Sequence, residues 1–234
     1  MKTGVLRWVW GALLVMSALS ALAAEAQPAA SAASAAQACT VCHGAAGVAT
    51  NHGYFPRIAG KPQGYLYHQL LNFRDGRRHY TAMSQLLQVL GDDYLMEIAG
   101  HFAAQALPYP PPQTTGAAPA VLALGEQLVR RGDPMRRIPA CVSCHGAAMT
   151  GVQPFVPGLL GLPRDYLNAQ MGAFQTGQRK TLAPNCMAQV VRQLTPADVS
   201  AISTWLSSQA LPADTRPAKS LPVAMPMPCG SVVR

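Results

Sequence analysis

Two short stretches carry residues that could do chemistry. "ACTVCHG" places Cys39 and Cys42 three positions apart with His43 directly after, and "ACVSCHG" repeats the arrangement with Cys141, Cys144 and His145. At the C-x-x-C-H spacing, two thiols can add to the two vinyl groups on one edge of a porphyrin, and the following histidine is carried beneath the iron. Structural zinc also uses C-x-x-C pairs, usually with roughly 15–20 residues between them. Here 98 residues separate Cys42 from Cys141, and each pair brings its own histidine. Disulfide bonding, the ordinary fate of cysteines in an exported chain, explains neither histidine. The pattern therefore points to two covalently attached haem c groups.

Haem iron takes a second axial ligand, and each motif is followed by a methionine in an equivalent place. Met83 lies 40 residues after His43, and Met187 lies 42 after His145. Methionine opposite histidine fills the iron's sixth position and raises its reduction potential. Met96, Met135, Met149 and Met171 read instead as packing or surface. The cofactor-binding candidates are thus Cys39, Cys42, His43 and Met83 for one group and Cys141, Cys144, His145 and Met187 for the other. His43, Met83, His145 and Met187 would hold metal. No catalytic side chains stand out, and His52, His68 and His79 have no partner that sequence can assign. Two readings of the remaining cysteines stand: Cys186 and Cys229 form a disulfide, or Cys186, beside Met187, is itself an iron ligand.

The elements that must position these residues are themselves repeated. Pro56, Gly60, Pro62, Tyr65, Leu66, Gln69, Phe73, Gly76 and Arg78 recur 101 residues later as Pro157, Gly161, Pro163, Tyr166, Leu167, Gln170, Phe174, Gly177 and Arg179. Tyr65, Gln69 and Phe73 fall at i, i+4, i+8, as do Tyr166, Gln170 and Phe174, so each set lies along one helix face. A glycine, Gly76 or Gly177, follows each helix. A last helix closes each half. "LTPADVSAISTWLSS" starts with Thr195 as N-cap, Pro196 at N1 and Asp198 at N3. "GDDYLMEIAGHFAAQ" is its counterpart, and "VLALGEQLVRRG" (121–132) reads as a helix leading into the second cysteine pair. No stretch alternates as a strand would. The fold class is all-α, a few helices around each haem.

The chain divides accordingly. Residues 1–26 have a basic start, an uncharged apolar run and small residues at its end, the pattern of a secretory signal peptide; a retained membrane anchor is the competing reading. Residues 27–38 are an Ala/Ser-rich flexible leader, turning helical towards Cys39. The first haem domain is 39–107, and 108–120 is a Pro-rich linker that no helix can contain. The second domain is 121–211, followed by an irregular Pro-rich tail, 212–234. Export places the protein outside the cytosol. The formal charge of +8 then favours acidic protein surfaces over nucleic acid, with peripheral contact to anionic lipid headgroups as a second expectation. Arg74, Arg77, Arg78 and His79 precede Met83, and Arg179 and Lys180 precede Met187; they read either as partners of the haem propionates or solvent, or as a docking patch for an acidic redox partner such as a terminal oxidase or dehydrogenase.

"IPACVSCHG", "FPRIAGKPQGYLYHQLLNFRDGRR" and "GLLGLPRDYLNAQMGAFQTGQR" resemble segments of the dihaem c4-type cytochromes c. The resemblance runs from Cys39 to about Gln209. It implies two tandem class I cytochrome c domains, His/Met ligation at both irons and periplasmic transfer of single electrons between redox partners in a respiratory chain. The sequence departs from the family in its Ala/Ser-rich leader, in "APNCM" before the second methionine and in its tail. A haem enzyme, of thiosulfate-oxidising or peroxidase type, and an electron-accepting subunit of a dehydrogenase complex are the alternatives.

Overall fold

The computed structural model describes residues 32–49 and 55–232. The expected signal peptide, the start of the leader and His52 lie outside the described residues. Helix α1 spans Ala32–His43, α2 Gln63–Arg74, α3 Thr81–Leu87 and α4 Asp92–Ala103; α5 spans Pro119–Arg130, α6 Val142–His145, α7 Arg164–Thr176, α8 Cys186–Val191 and α9 Pro196–Ser208. The end of the leader is therefore helical from Ala32, as its run of alanines, the best helix former, allows. No described helix is long and apolar enough to cross a membrane.

The same packing scheme is built twice. In the first half α4 packs on α1 and α2, and α2 on α3; in the second α9 packs on α5 and α7, and α7 on α8. Periodicity explains these contacts: Ile98 and Phe102 of α4 are buried with Leu66, and Ile202 and Leu206 of α9 with Leu167 and Phe174. The last helix begins as its sequence requires. Thr195 Oγ1 accepts from the Asp198 backbone N–H, and Asp198 reaches back to the Thr195 N–H at 2.8 Å. Gly177 ends α7 at φ 77°, a left-handed turn that glycine adopts without steric penalty.

Two features depart from the expected all-helical chain. Gly151–Val152 and Val156–Pro157 form a small antiparallel hairpin, too short to leave an alternating pattern. The tail, irregular in its backbone, is nevertheless attached: Ala218 N–H donates to Gly151 O and Ala218 O accepts from Gln153 N–H, while Cys229 is disulfide-bonded to Cys186.

The halves meet through equivalent residues. Arg78 and Arg179 form an antiparallel bridge, flanked by His79 N–H to Gln178 O at 3.1 Å and Lys180 N–H to Arg77 O at 2.6 Å. Arg78 donates to Gln69 Oε1 at 3.0 Å and to Gln170 Oε1 at 2.8 Å; Arg179 donates to Gln170 Oε1 at 2.8 Å and to Gln69 Oε1 at 2.9 Å. Each arginine thus bonds its own glutamine and its counterpart's, a local two-fold arrangement written by the 101-residue repeat. The hairpin adds a one-sided contact, with Phe155 stacked on His68 at 5.1 Å and Tyr65 N–H donating to Pro154 O at 3.0 Å.

Candidate haem sites

Helix α6 and its turn place Cys141, Cys144 and His145 on the wall of an apolar cavity, and Met187, from the first turn of α8, borders the same cavity. Leu167, Phe174, Ile202 and Leu206 supply much of its lining. His145 is 6% exposed, and its Nδ1 donates to Pro157 O at 2.8 Å. A carbonyl can only accept, so Nδ1 carries the proton and the Nε2 lone pair is free. Burial also pulls the imidazole below the usual histidine range, which keeps it neutral, the form that ligates metal.

The first half repeats this geometry. His43 is 8% exposed, and its Nδ1 donates to Pro56 O at 2.9 Å; burial lowers its pKa as well. Cys39 packs beside Leu66 and Ile98. Met83, on α3, packs against Phe73, Leu87 and Leu95. The two clusters share Tyr67, Leu70 and Leu90. Cys42 is exposed, whereas Cys144 is half-buried, so the first motif lies nearer solvent. Neither motif's cysteines are in disulfides.

The arginines singled out by sequence divide into two groups. Arg74 pairs with Asp75 and Asp92, and Arg77 with Asp75, so these are neutralised surface. Arg78 and Arg179 face each other between the halves, not a docking partner. Arg179 is 7% exposed, borders the second cavity, and its Nε has no hydrogen-bond partner. Two apposed guanidinium groups with only glutamines and the tyrosines Tyr65 and Tyr166 beside them are electrostatically incomplete. A carboxylate would complete them.

These residues fit haem c. The second cavity offers an apolar wall for the macrocycle, two thiols for its vinyl groups, an imidazole lone pair and a thioether on the iron, and cations for the propionates. Cys186 is bonded to Cys229, with Cα atoms 5.0 Å apart, which occupies the sulfur beside Met187; Met171, Met187, Met225 and Met227 are the thioethers that border the cavity. Sequence reasoning missed that Met225 and Met227 also border this cavity. The tail runs "MPMPC": Met225, Met227 and Cys229 are half-buried while Pro226 and Pro228 are exposed, so alternate side chains turn inwards.

Comparison with known proteins agrees with this chemistry. The cytochrome c family model matches residues 123–210. The chain is 36% identical over 170 residues to the thiosulfate dehydrogenase electron acceptor of Thiomonas intermedia, covering 72% of this chain and 77% of that one. It is 33% identical to cytochrome c4 of Pseudomonas aeruginosa, covering 70% of this chain and 80% of the relative. Among solved structures, reduced cytochrome c4 from Pseudomonas stutzeri superposes with a TM-score of 0.64 at 28% identity, covering 75% of this chain and 97% of that one. Thiosulfate dehydrogenase from Marichromatium purpuratum gives a TM-score of 0.65 at 30% identity, although the match spans only 36% of that longer chain. Repeated C-x-x-C-H motifs, buried histidines with a free Nε2 and this similarity lead to one assignment: the chain belongs to the c4-type cytochromes, electron carriers with class I cytochrome c folds and covalently bound haem c.

Proposed function

We propose that the protein is an exported, periplasmic dihaem carrier passing single electrons between protein partners of a respiratory chain. Residues 39–107 form the first haem domain and 121–211 the second, joined by 108–120. Cys39, Cys42, His43 and Met83 hold one haem; Cys141, Cys144, His145 and Met187 hold the other. Bound haem c supplies the one-electron chemistry. The chain's own residues fix the imidazoles, bring a thioether to each iron, keep water from the macrocycle and hold the two halves together.

The observation that carries this reading is the matched pair of histidine hydrogen bonds. Nδ1–H to Pro56 O and Nδ1–H to Pro157 O orient two imidazoles identically at positions related by the repeat, which supports a ligand on each Nε2. The direct test is haem stoichiometry from intact mass, followed by the near-infrared methionine-to-iron charge-transfer band of the oxidised protein. Two haems and a band from each are expected, with Met83→Ala and Met187→Ala each removing its own share. A single haem, or a second-haem band that survives Met187→Ala, overturns the assignment.

Similarity to two proteins named thiosulfate dehydrogenase electron acceptor favours a specific donor, a thiosulfate-oxidising dehydrogenase. Stopped-flow reduction by such an enzyme with thiosulfate should be fast and slow with rising salt, since a basic carrier meets an acidic surface. Reduction that is slow, or fast but indifferent to salt, removes this donor or its electrostatic docking.

A further inference from the structure

One buried charge is left unexplained by symmetry. Lys61 is 6% exposed and lies in the first half, two residues before α2, yet it borders the cavity of Cys141, Cys144 and His145. No hydrogen bond or ion pair reaches its ammonium among the described residues; its electrostatic neighbours are Tyr65, Arg57, Arg179 and His145. Of the other cations nearby, Arg179 also borders the cavity with its Nε unpartnered, and the rest are accommodated. Arg57 donates to the carbonyls of Ala59, Leu107 and Pro108, and Arg78 and Arg179 share the two glutamines. A lysine this buried with no anion beside it is costly. A carboxylate entering the cavity would satisfy it.

The repeat makes Lys61 an asymmetric feature. By the 101-residue offset its counterpart is Leu162, each standing between a glycine and a proline: Gly60-Lys61-Pro62 and Gly161-Leu162-Pro163. The second cavity therefore receives a cation from the opposite half. Leu162 offers no such charge in return.

We propose that Lys61 is the cross-interface counter-ion of the second haem, binding its propionate and setting its reduction potential above that of the first. Iron loses one positive charge on reduction. In a cavity of low dielectric a fixed cation stabilises the reduced state more than it would in water. An electron entering the chain then rests on the second site. Lys61 acts as a potential-determining residue rather than a ligand to iron.

The proposal rests on the two-haem reading, so haem count is measured first on full-length, matured protein; one haem overturns both, whereas two haems leave Lys61 to be judged alone. Potentiometric titration with the two haems resolved by their NMR signals is then run on wild type, Lys61→Met and Lys61→Arg. Lys61→Met should shift the electron equilibrium between the irons at least about tenfold towards the first haem, 59 mV for one electron. Lys61→Arg, which keeps the charge, should stay with the wild type. If Lys61→Met fails to mature, Lys61→Gln keeps polarity without charge and gives the same reading. An unmoved second potential, equal movement of both, or an arginine variant that follows the methionine one overturns the proposal.

Discussion

Consider the double variant Cys186→Ser/Cys229→Ser. The disulfide spans 43 residues, and on the chain-entropy account closing such a loop stabilises the folded state by ~4 kcal/mol. The tail's backbone attachments are few: Ala218 N–H to Gly151 O, Gln153 N–H to Ala218 O and Gly230 N–H to Pro184 O, with Thr150 Oγ1 donating to Arg216 O. Three of these four tie residues 216–218; within 219–230 the Gly230 bond, at about 1 kcal/mol, is the one of these that holds the chain. Ordering the dozen or so residues from 219 to 230 costs on the order of 1 kcal/mol per residue, less at Pro222, Pro226 and Pro228. Without the crosslink the balance turns against the docked tail. The variant should therefore fray locally. Hydrogen exchange at Ala218 and Gly230 should lose its protection, and imidazole should reach the second iron faster, with the first unaffected. Because the native state also gains freedom, the fall in global stability by denaturant titration should be smaller than ~4 kcal/mol. Unchanged protection at Ala218 and Gly230 in the variant would refute the reasoning, since other contacts would then be holding the tail.

Two further outcomes follow from the second half. A Cβ at Gly125 would meet Trp205 Cβ at 2.7 Å and also the Ala201 carbonyl oxygen, so Gly125→Ala should force α5 and α9 apart at a cost of ~1–3 kcal/mol; thermal melting should fall by about 2–4 °C per kcal/mol, and an unchanged melting temperature would mean that the helices slide apart freely. At Asp198, burial pushes the carboxyl up, but the hydrogen bonds from Arg136 and Thr195 outweigh it and hold the group below the ordinary carboxylate range. A depressed carboxylate contributes stability that is complete above its unfolded value, near ~4, and lost as pH falls through the folded one. The stability advantage of the wild type over Asp198→Asn should accordingly be full at neutral pH and shrink on acidification below the ordinary carboxylate range; a pH-independent gap would remove Asp198 from the account.

Much of the helical frame was legible because it rests on local rules. Thr195, Pro196 and Asp198 announce the start of α9, and the i, i+4 spacing of Tyr65, Gln69 and Phe73 gives the face of α2. What was not legible depends on the copies meeting. Arg78 and Arg179 read as partners of the haem propionates or solvent, or as a docking patch, because nothing in either segment records that the equivalent segment lies opposite. Lys61 escaped notice for a related reason: a lysine before a proline ordinarily stands in solvent, and only the other half's cavity makes it buried. The tail did leave a trace. Met225, Met227 and Cys229 alternate with prolines, but five residues of alternation within a Pro-rich stretch is too short a signal to distinguish a docked tail from a loose end.

Duplication has a physical consequence that the departures from it must answer. Two copies of one site, related by a local two-fold through Gln69, Gln170, Arg78 and Arg179, begin with equal environments. Between equal sites an electron has no preferred residence, and a partner no preferred point of delivery. Preference can arise only where the copies differ. Two such differences meet at one cavity: Lys61 enters it where Leu162 is the matched residue, and the tail lays Met225 and Met227 along it. A cation and an apolar cover act in the same sense, since a buried iron surrounded by less water favours its less charged state. The first motif keeps Cys42 exposed. On the two-haem proposal, both differences would favour exchange with partners at the first site and residence at the second.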